Sequence, residues 1–172
     1  EGNPFRQASF VHVRRDLVET LRAVAPALAL ARHPWWILGS AAVALHGADP
    51  GDVRDVDILL DARDCPAVFA SLGIAIAAGQ ADSRFRSALF QQWLGGCLPV
   101  ELFAGFAVLE KKAWQQVVLR SRQAIPVADF TVFVPEKAEL ITIMRRFGRP
   151  KDLGRIAALS PSGPSPSRSE SA

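Results

Sequence analysis

The sequence predicts an α/β (α+β) domain: a small sheet, mixed or mostly antiparallel, flanked by helices and followed by short C-terminal helices. Three observations carry that expectation. Short apolar runs bounded by turn residues, Trp35 to Leu38 and Val56 to Leu60, have strand character. Segments between and after them, above all Glu136 to Phe147, carry apolar residues at helical spacing. The chain of 172 residues is 49% hydrophobic and 22% charged, the balance of a globular protein large enough to bury one core.

Taken in order, Ser9 is a candidate N-cap for a helix whose apolar positions Phe10, Leu17, Leu21 and Val24 keep to one face. Pro26 is expected to end that helix or to start a second short one, Ala27 to Ala31. His33-Pro34 breaks the chain before the strand Trp35-Trp36-Ile37-Leu38. Gly39-Ser40 then opens a helix through Ala41 to His46, which Gly47 stops. Pro50-Gly51 marks a turn, Asp55 to Leu60 a strand, and Cys65 to Leu72 a helix stopped by Gly73. Arg84 to Trp93 reads as a strand, Gly95-Gly96 as a turn, and Leu98 to Phe103 as the hairpin partner. Glu110 to Arg120 is expected to be helical, Ala124 to Val134 strand-like, Glu136 to Phe147 an amphipathic helix through Leu140, Ile143 and Met144, and Asp152 to Leu159 a last short helix.

Composition removes several classes. Cys65 and Cys97 are too few for a disulfide framework or a four-cysteine zinc site, and both read as small buried apolar residues. The richest apolar stretch, Ala23 to Ala48, is interrupted by Arg32, His33 and Pro34, so no membrane-spanning helix is expected. Glu1-Gly2-Asn3-Pro4 lacks the basic-then-apolar layout of a secretory leader, and a cytoplasmic location is the expectation.

The residues with most chemical content are acids. In a strand, Asp55 and Asp57 project from the same face, where two carboxylates repel unless water, a cation or an arginine neutralises them. Glu101 sits between Val100 and Leu102-Phe103 in another expected strand. Three acids on neighbouring strands suit two divalent cations in a phosphoryl-transfer site. The competing reading has Asp55 at a strand end beside Arg54, Asp57 facing solvent, and Glu101 on a solvated strand face. Gly39-Ser40 upstream tips the balance, because a glycine between strand and helix lets the backbone approach a phosphate closely.

With these parts in this order, the sequence resembles the nucleotidyltransferases of the DNA polymerase beta-like superfamily. The parts are Ile37-Leu38-Gly39-Ser40, then fourteen residues, Asp55-Val56-Asp57-Ile58, and Val100-Glu101-Leu102. Leu45-His46-Gly47 and Gly148-Arg149-Pro150-Lys151-Asp152-Leu153 are similar to segments of the minimal and abortive-infection-type members. The resemblance spans about Trp35 to Leu159. It departs in the slightly long gap before Asp55, in Arg145 where a lysine is usual, and in Arg155 where an acid often stands.

The resemblance implies a nucleotidyltransferase-like domain over 35–159, preceded by a helical segment, 1–34, packing on it, and followed by a disordered Ser/Pro-rich tail, 160–172. It implies transfer of an NMP from ATP or another NTP to an acceptor hydroxyl on a small molecule, a protein or a tRNA, and it admits a toxin-type enzyme, in the sense that several relatives pair with an antitoxin. Asp55, Asp57 and Glu101 would be catalytic and would hold Mg²⁺ or Mn²⁺, two ions in all, while Gly39, Ser40 and Lys151 would bind the nucleotide. The alternative is an inactive module of the same fold that holds nucleic acid or a partner protein through its basic C-terminal part. No membrane partner is expected, and no oligomeric state follows from the sequence.

Charge is divided along the chain. Residues 1–110 carry nine basic against twelve acidic side chains, and residues 111–155 ten against four. Six of the twelve acids fall between Asp49 and Asp64. The division suggests a cleft with a metal-binding side and a phosphate-binding side. Among weaker candidates, Arg84 and Arg86 read first as solvated surface, His46 as a helix-end residue, Trp35 and Trp36 as core, and Lys111-Lys112 as a solvated helix face.

Overall fold

A computed structural model describes residues 14–161. Ser9, Phe10 and positions 162–172 lie outside the described residues. Among the described residues, five helices and nine strands follow one another: α1 (Arg15–Leu28), β1 (Trp36–Leu38), α2 (Gly39–Leu45), β2 (Val56–Leu59), α3 (Cys65–Ser71), β3 (Phe85–Arg86), β4 (Leu89–Trp93), β5 (Val100–Ala104), β6 (Ala107–Glu110), β7 (Ala113–Gln116), β8 (Gln123–Val127), β9 (Phe130–Val134), α4 (Lys137–Phe147) and α5 (Pro150–Leu159). The central sheet is mixed, in the order β1-β2-β5-β4, with β2 and β5 parallel and the outer pairs antiparallel. Smaller sheets join β3, β6 and β7, and β8 with β9.

The core forms where the apolar stripe of α1 meets the sheet. Leu17, Leu21, Val24 and Leu28 are buried in one cluster with Ile37, Ile58, Phe69 and Leu102. That stripe carries α1 through Pro26 to Leu28 instead of ending it there. Proline so near a helix end removes one hydrogen bond, whereas burying Ala27 and Leu28 keeps the last turn on the core. The helix begins after Arg14, whose backbone is extended.

Three expectations are corrected by pairing that sequence pattern does not reveal. Arg84 to Trp93 is two strands, not one: β4 stays in the central sheet while β3 turns away to pair with β6. The partner bends at the same point, between β5 and β6, where Gly105 has φ +63° and a Cβ would lie 2.7 Å from that of Ala88. Glu110 to Arg120 is not a helix. Lys111 and Lys112 both have positive φ, 48° and 67°, and join β6 to β7 in a two-residue turn with Glu110 opposite Ala113. Helix-forming residues are overridden there by pairing with β3 and by the bidentate grip of Arg146 on Glu110 at 3.0–3.3 Å. Finally, Ala124 to Val134 is a hairpin, β8 and β9, turning at Ala128.

The loop from α1 to β1 is held by a buried acid. Asp64, 5% exposed, accepts hydrogen bonds from the backbone N–H of Arg32 at 3.1 Å and of His33 at 2.9 Å, and lies 3.1 Å from His33 Nδ1. Burial alone would raise its pKa, but these donors together hold it below the ordinary carboxylate range. A depressed pKa means that the stabilisation is complete above that range and fades as pH falls through it. Asp64→Ala should therefore cost about 2 kcal/mol at neutral pH. Urea denaturation should show the gap from wild type narrowing as pH is lowered towards 3, roughly the bottom of the carboxylate range. A second expectation concerns the turn: replacing Lys111-Lys112 by Asn-Gly should raise stability by about 1 kcal/mol in the same assay, since neither new residue resists positive φ as lysine does.

Candidate active site

The central sheet brings the three acids together. Parallel pairing of β2 with β5 sets Asp57 opposite Glu101, and Asp55, two residues earlier, projects from the same face. One carboxylate oxygen from each of the three lies within 4.8 Å of the others. Antiparallel pairing on the other side sets Leu38 opposite Asp57, so the chain enters α2 directly beside the cluster. Gly39 has φ +63°, and a Cβ there would sit 2.6 Å from Asp57 Oδ2. Both the backbone angle and the space require glycine.

Such crowding is costly without a positive charge. Burial, then the charges of Asp55 and Glu101 and a hydrogen bond with Glu101, push the Asp57 carboxyl well above its ordinary range, with Arg149 opposing. Arg54 does not relieve it: its guanidinium lies 3.3 Å from Asp52 on the exposed side. Asp57 is half-buried and lines a cavity. An all-carboxylate set of this kind has the donor chemistry of a hard divalent cation such as Mg²⁺ or Mn²⁺.

Two cavities meet at the acids. One, of about 330 Å³, is lined by Gly39, Asp57, Glu101 and Arg149 together with a group of phenylalanines. The other, of about 630 Å³, is lined by Ser40, Asp55, Lys151, Arg155 and neighbours. Lys151, exposed in the first turn of α5, is thus placed beside Asp55 and Ser40, not beside Glu101.

Two arginines whose charges bear on the acids, Arg149 and Arg155, stand outside the site residues expected from the sequence. Arg149, expected only as part of a motif and among the basic neighbours of Lys151, lines the cavity of Asp57 and Glu101. It is held by Asp152, fully buried, whose Oδ2 accepts from the Arg149 backbone N–H at 3.1 Å and from Nε at 2.7 Å. Asp152 Oδ1 accepts from Arg149 Nη2 at 3.1 Å and lies 3.8 Å from Arg155 Nη1. Burial depresses the Arg155 pKa, and Asp152, Asp57 and Asp55 work against that loss. A basic residue before a helix-starting proline with aspartate three positions later is the available signal, read as a capping box.

The weaker candidates have structural places. The Arg84 guanidinium donates to the Phe147 carbonyl, and Arg86 lies 4.9 Å from the Trp114 ring and on the rim of the smaller cavity. His46 Nε2, 2.7 Å from the Pro135 carbonyl, ties the end of α2 to the start of α4, and burial lowers its pKa. Trp35 packs edge-on against Phe133, and Trp36 Nε1 donates to the Ser121 carbonyl at 2.9 Å. Cys65 is buried, its thiol pushed up to about 11 chiefly by burial, whereas Cys97, expected in the core, is exposed in the turn before β5. Among the described residues no helix is long and apolar enough to cross a membrane.

A strand, a glycine-led helix, an Asp-x-Asp strand and a third acid on the adjacent parallel strand make up the nucleotidyltransferase fold, and the chain has that fold. A protein from Thermotoga maritima assigned to the nucleotidyltransferases superposes with a TM-score of 0.67 at 18% identity, over 84% of this chain and 92% of that one. The antibiotic-resistance factor ANT(2'')-Ia matches with a TM-score of 0.54 at 12% identity, over 83% of this chain and 81% of that one. A second structure of ANT(2'')-Ia, in complex with adenylyl-2''-tobramycin, gives 0.53 at 12% identity, with 83% and 86% covered. No family model matches the sequence, and no curated protein matches it.

Gly39→Ala should weaken binding of Mn²⁺ at least about tenfold by calorimetry, the scale on which a displaced ligand acts. It should also cost about 1–2 kcal/mol of stability from backbone strain, read from thermal unfolding.

Proposed function

We propose that the chain is a metal-dependent nucleotidyltransferase, moving a nucleoside monophosphate from an NTP to an acceptor hydroxyl with release of pyrophosphate. The observation that carries this reading is the convergence of Asp55, Asp57 and Glu101 on one another, with Gly39 leaving Asp57 uncovered. Asp55 and Asp57 hold the cation that accompanies the triphosphate, and Glu101 shares in holding a second. Bound there, Mg²⁺ or Mn²⁺ neutralises charge on the phosphates and favours ionisation of the acceptor hydroxyl. Glu101 takes the hydroxyl proton while the acceptor oxygen bonds to the α-phosphorus. The bond from that phosphorus to its bridging oxygen breaks, and pyrophosphate leaves with the electron pair. Gly39, Ser40 and Lys151 contact the outer phosphates, Gly39 by bare backbone and Lys151 by charge. The reading is supported by ANT(2'')-Ia, a protein of this fold solved in complex with adenylyl-2''-tobramycin. The reading places the enzyme in the cytoplasm, where NTP and Mg²⁺ are abundant.

Asp57→Ala should lower transfer about a thousandfold or more, the loss of several kcal/mol of charge stabilisation, while the circular dichroism of the fold is retained. Calorimetric titration of wild type with each NTP should give heat that requires Mg²⁺ and disappears in Asp55→Ala. An active, well-folded Asp57→Ala protein, or NTP binding indifferent to Mg²⁺, would overturn the assignment.

A further inference from the structure

The two cavities on either side of the acids differ in chemistry. The larger has Lys151, Arg54 and Arg155 in its lining beside Asp49, Asp52 and Asp55, its cations coming from α5 and from the loop before β2, with Arg54 turned to Asp52. The smaller is lined by Phe85, Phe90, Phe103, Phe106 and Phe147, brought from β3, β4, β5, the Gly105 bend and the end of α4. Four of these rings form a connected set, with centroids 5.0–5.8 Å apart: Phe85 with Phe106 and Phe147, and Phe106 with Phe103 and Phe147. Three of the five, Phe85, Phe90 and Phe106, are only half-buried and so retain surface for a ligand. Rings whose faces and edges are only partly covered by protein suit another planar ring.

Displacement at the α-phosphorus needs the entering oxygen and the leaving pyrophosphate on opposite sides. Glu101 lines only the smaller cavity, and Lys151 only the larger. The outer phosphates therefore belong on the side of Ser40 and Lys151, with Gly39 at the border of the two cavities, which leaves the phenylalanine-lined space for the acceptor. A volume of about 330 Å³ is at the small end of ligand pockets. The third carboxylate of that lining, Asp82, is engaged by the backbone N–H groups of Arg84 and Phe85, each at 2.7 Å. Beyond Asp57 and Glu101, the charges left to meet an acceptor are Arg86 on the rim and Arg149, whose guanidinium carbon lies 5.0 Å from the Phe85 centroid and 5.4 Å from that of Phe147.

We propose that this cavity is the acceptor subsite and that it takes a small hydroxyl-bearing aromatic molecule, neutral or anionic, in preference to a polycation or a nucleic acid. The proposal rests on the nucleotidyl-transfer reading of the three acids. The acceptor ring lies among Phe85, Phe90 and Phe106, its hydroxyl reaches Glu101, and an anionic substituent, where present, meets Arg86. Outside the metal-binding acids a polycationic acceptor meets only Asp82 in this lining, whose Oδ1 is held by two backbone N–H groups and whose charge faces Arg84 and Arg149. An RNA end finds no run of cations leading in: of the two arginines in the lining, Arg149 is committed to Asp152, which leaves Arg86 alone.

The test uses the full chain with Mg²⁺ and each labelled NTP, and two probes, 4-hydroxybenzoate and 2-(4-hydroxyphenyl)ethanol, beside an aminoglycoside and bulk tRNA. Label is expected on the aromatic probes at least tenfold faster than on the other two. Phe90→Ala should raise KM for both probes at least tenfold and leave Mg²⁺-dependent NTP binding unchanged. Because Phe90→Ala can weaken folding, the exposed Arg86→Ala is the second variant. It should raise KM for 4-hydroxybenzoate several-fold and leave the neutral alcohol unaffected. Mg²⁺-dependent NTP binding with label on tRNA or the aminoglycoside alone, or on neither aromatic probe, overturns the acceptor assignment and leaves the nucleotidyl-transfer reading standing. Phe90→Ala weakening NTP binding instead of probe KM also overturns it, since the cavity then holds the nucleobase. Failure of any NTP to bind with Mg²⁺ overturns both.

Discussion

The parallel pairing of β2 with β5 is the constraint from which the rest of the site follows. It sets Asp57 against Glu101 across two strands whose other residues are apolar, and it does so by backbone hydrogen bonds that neither carboxylate controls. The sheet is stabilised by Val56, Ile58, Leu102 and the helices over them. Carboxylate repulsion is thus borne by a scaffold that has its own reasons to form. A cluster that would fly apart on a loop is kept within 4.8 Å on paired strands. In the proposed function a cation relieves this unfavourable charge, and Gly39 withholds a side chain from a place where it would cover Asp57.

Much of this was legible in the sequence because it is local. Asp55 and Asp57 share a face by strand periodicity alone, and Gly39-Ser40 between an apolar strand and an alanine-rich helix is a local pattern too. The central strands, α2, α3 and α4 were found in that way. Glu101 became informative only in company, since a lone glutamate in a strand says nothing about which strand lies beside it. What the sequence hid depends on pairing at a distance. Glu110-Lys111-Lys112-Ala113 has good helix formers, and only the partner strand β3 and the grip of Arg146 make it a turn. Arg84 to Trp93 has unbroken strand character, and its division follows from the bend of β5 into β6. The phenylalanines are spread from position 85 to 147 and meet only in the folded chain.

The basic side of the cleft was legible in bulk and not in detail. Dividing the charge by segment located the cations after residue 110, but the arginine nearest the acids is selected by Asp152. A fully buried aspartate shared between Arg149 and Arg155 fixes two guanidiniums whose flexible side chains would otherwise sample many rotamers. Lys151, two residues after Arg149 and in the first turn of α5, lines the other cavity.

The bend at Gly105 and Ala88 gives the molecule a division of labour within a single pair of strands. The inner half, β4 and β5, belongs to the sheet that carries Glu101 and brings Phe90 and Phe103 to the neighbouring cavity, while β3 of the outer half adds Phe85 and Arg86 to its wall. A change at Phe85 or Arg86 therefore reshapes that wall while the register of Asp57 with Glu101 stays as it is. Gly105 is the seam between the strands that hold the acids in register and the outer strand whose side chains shape the space beside them.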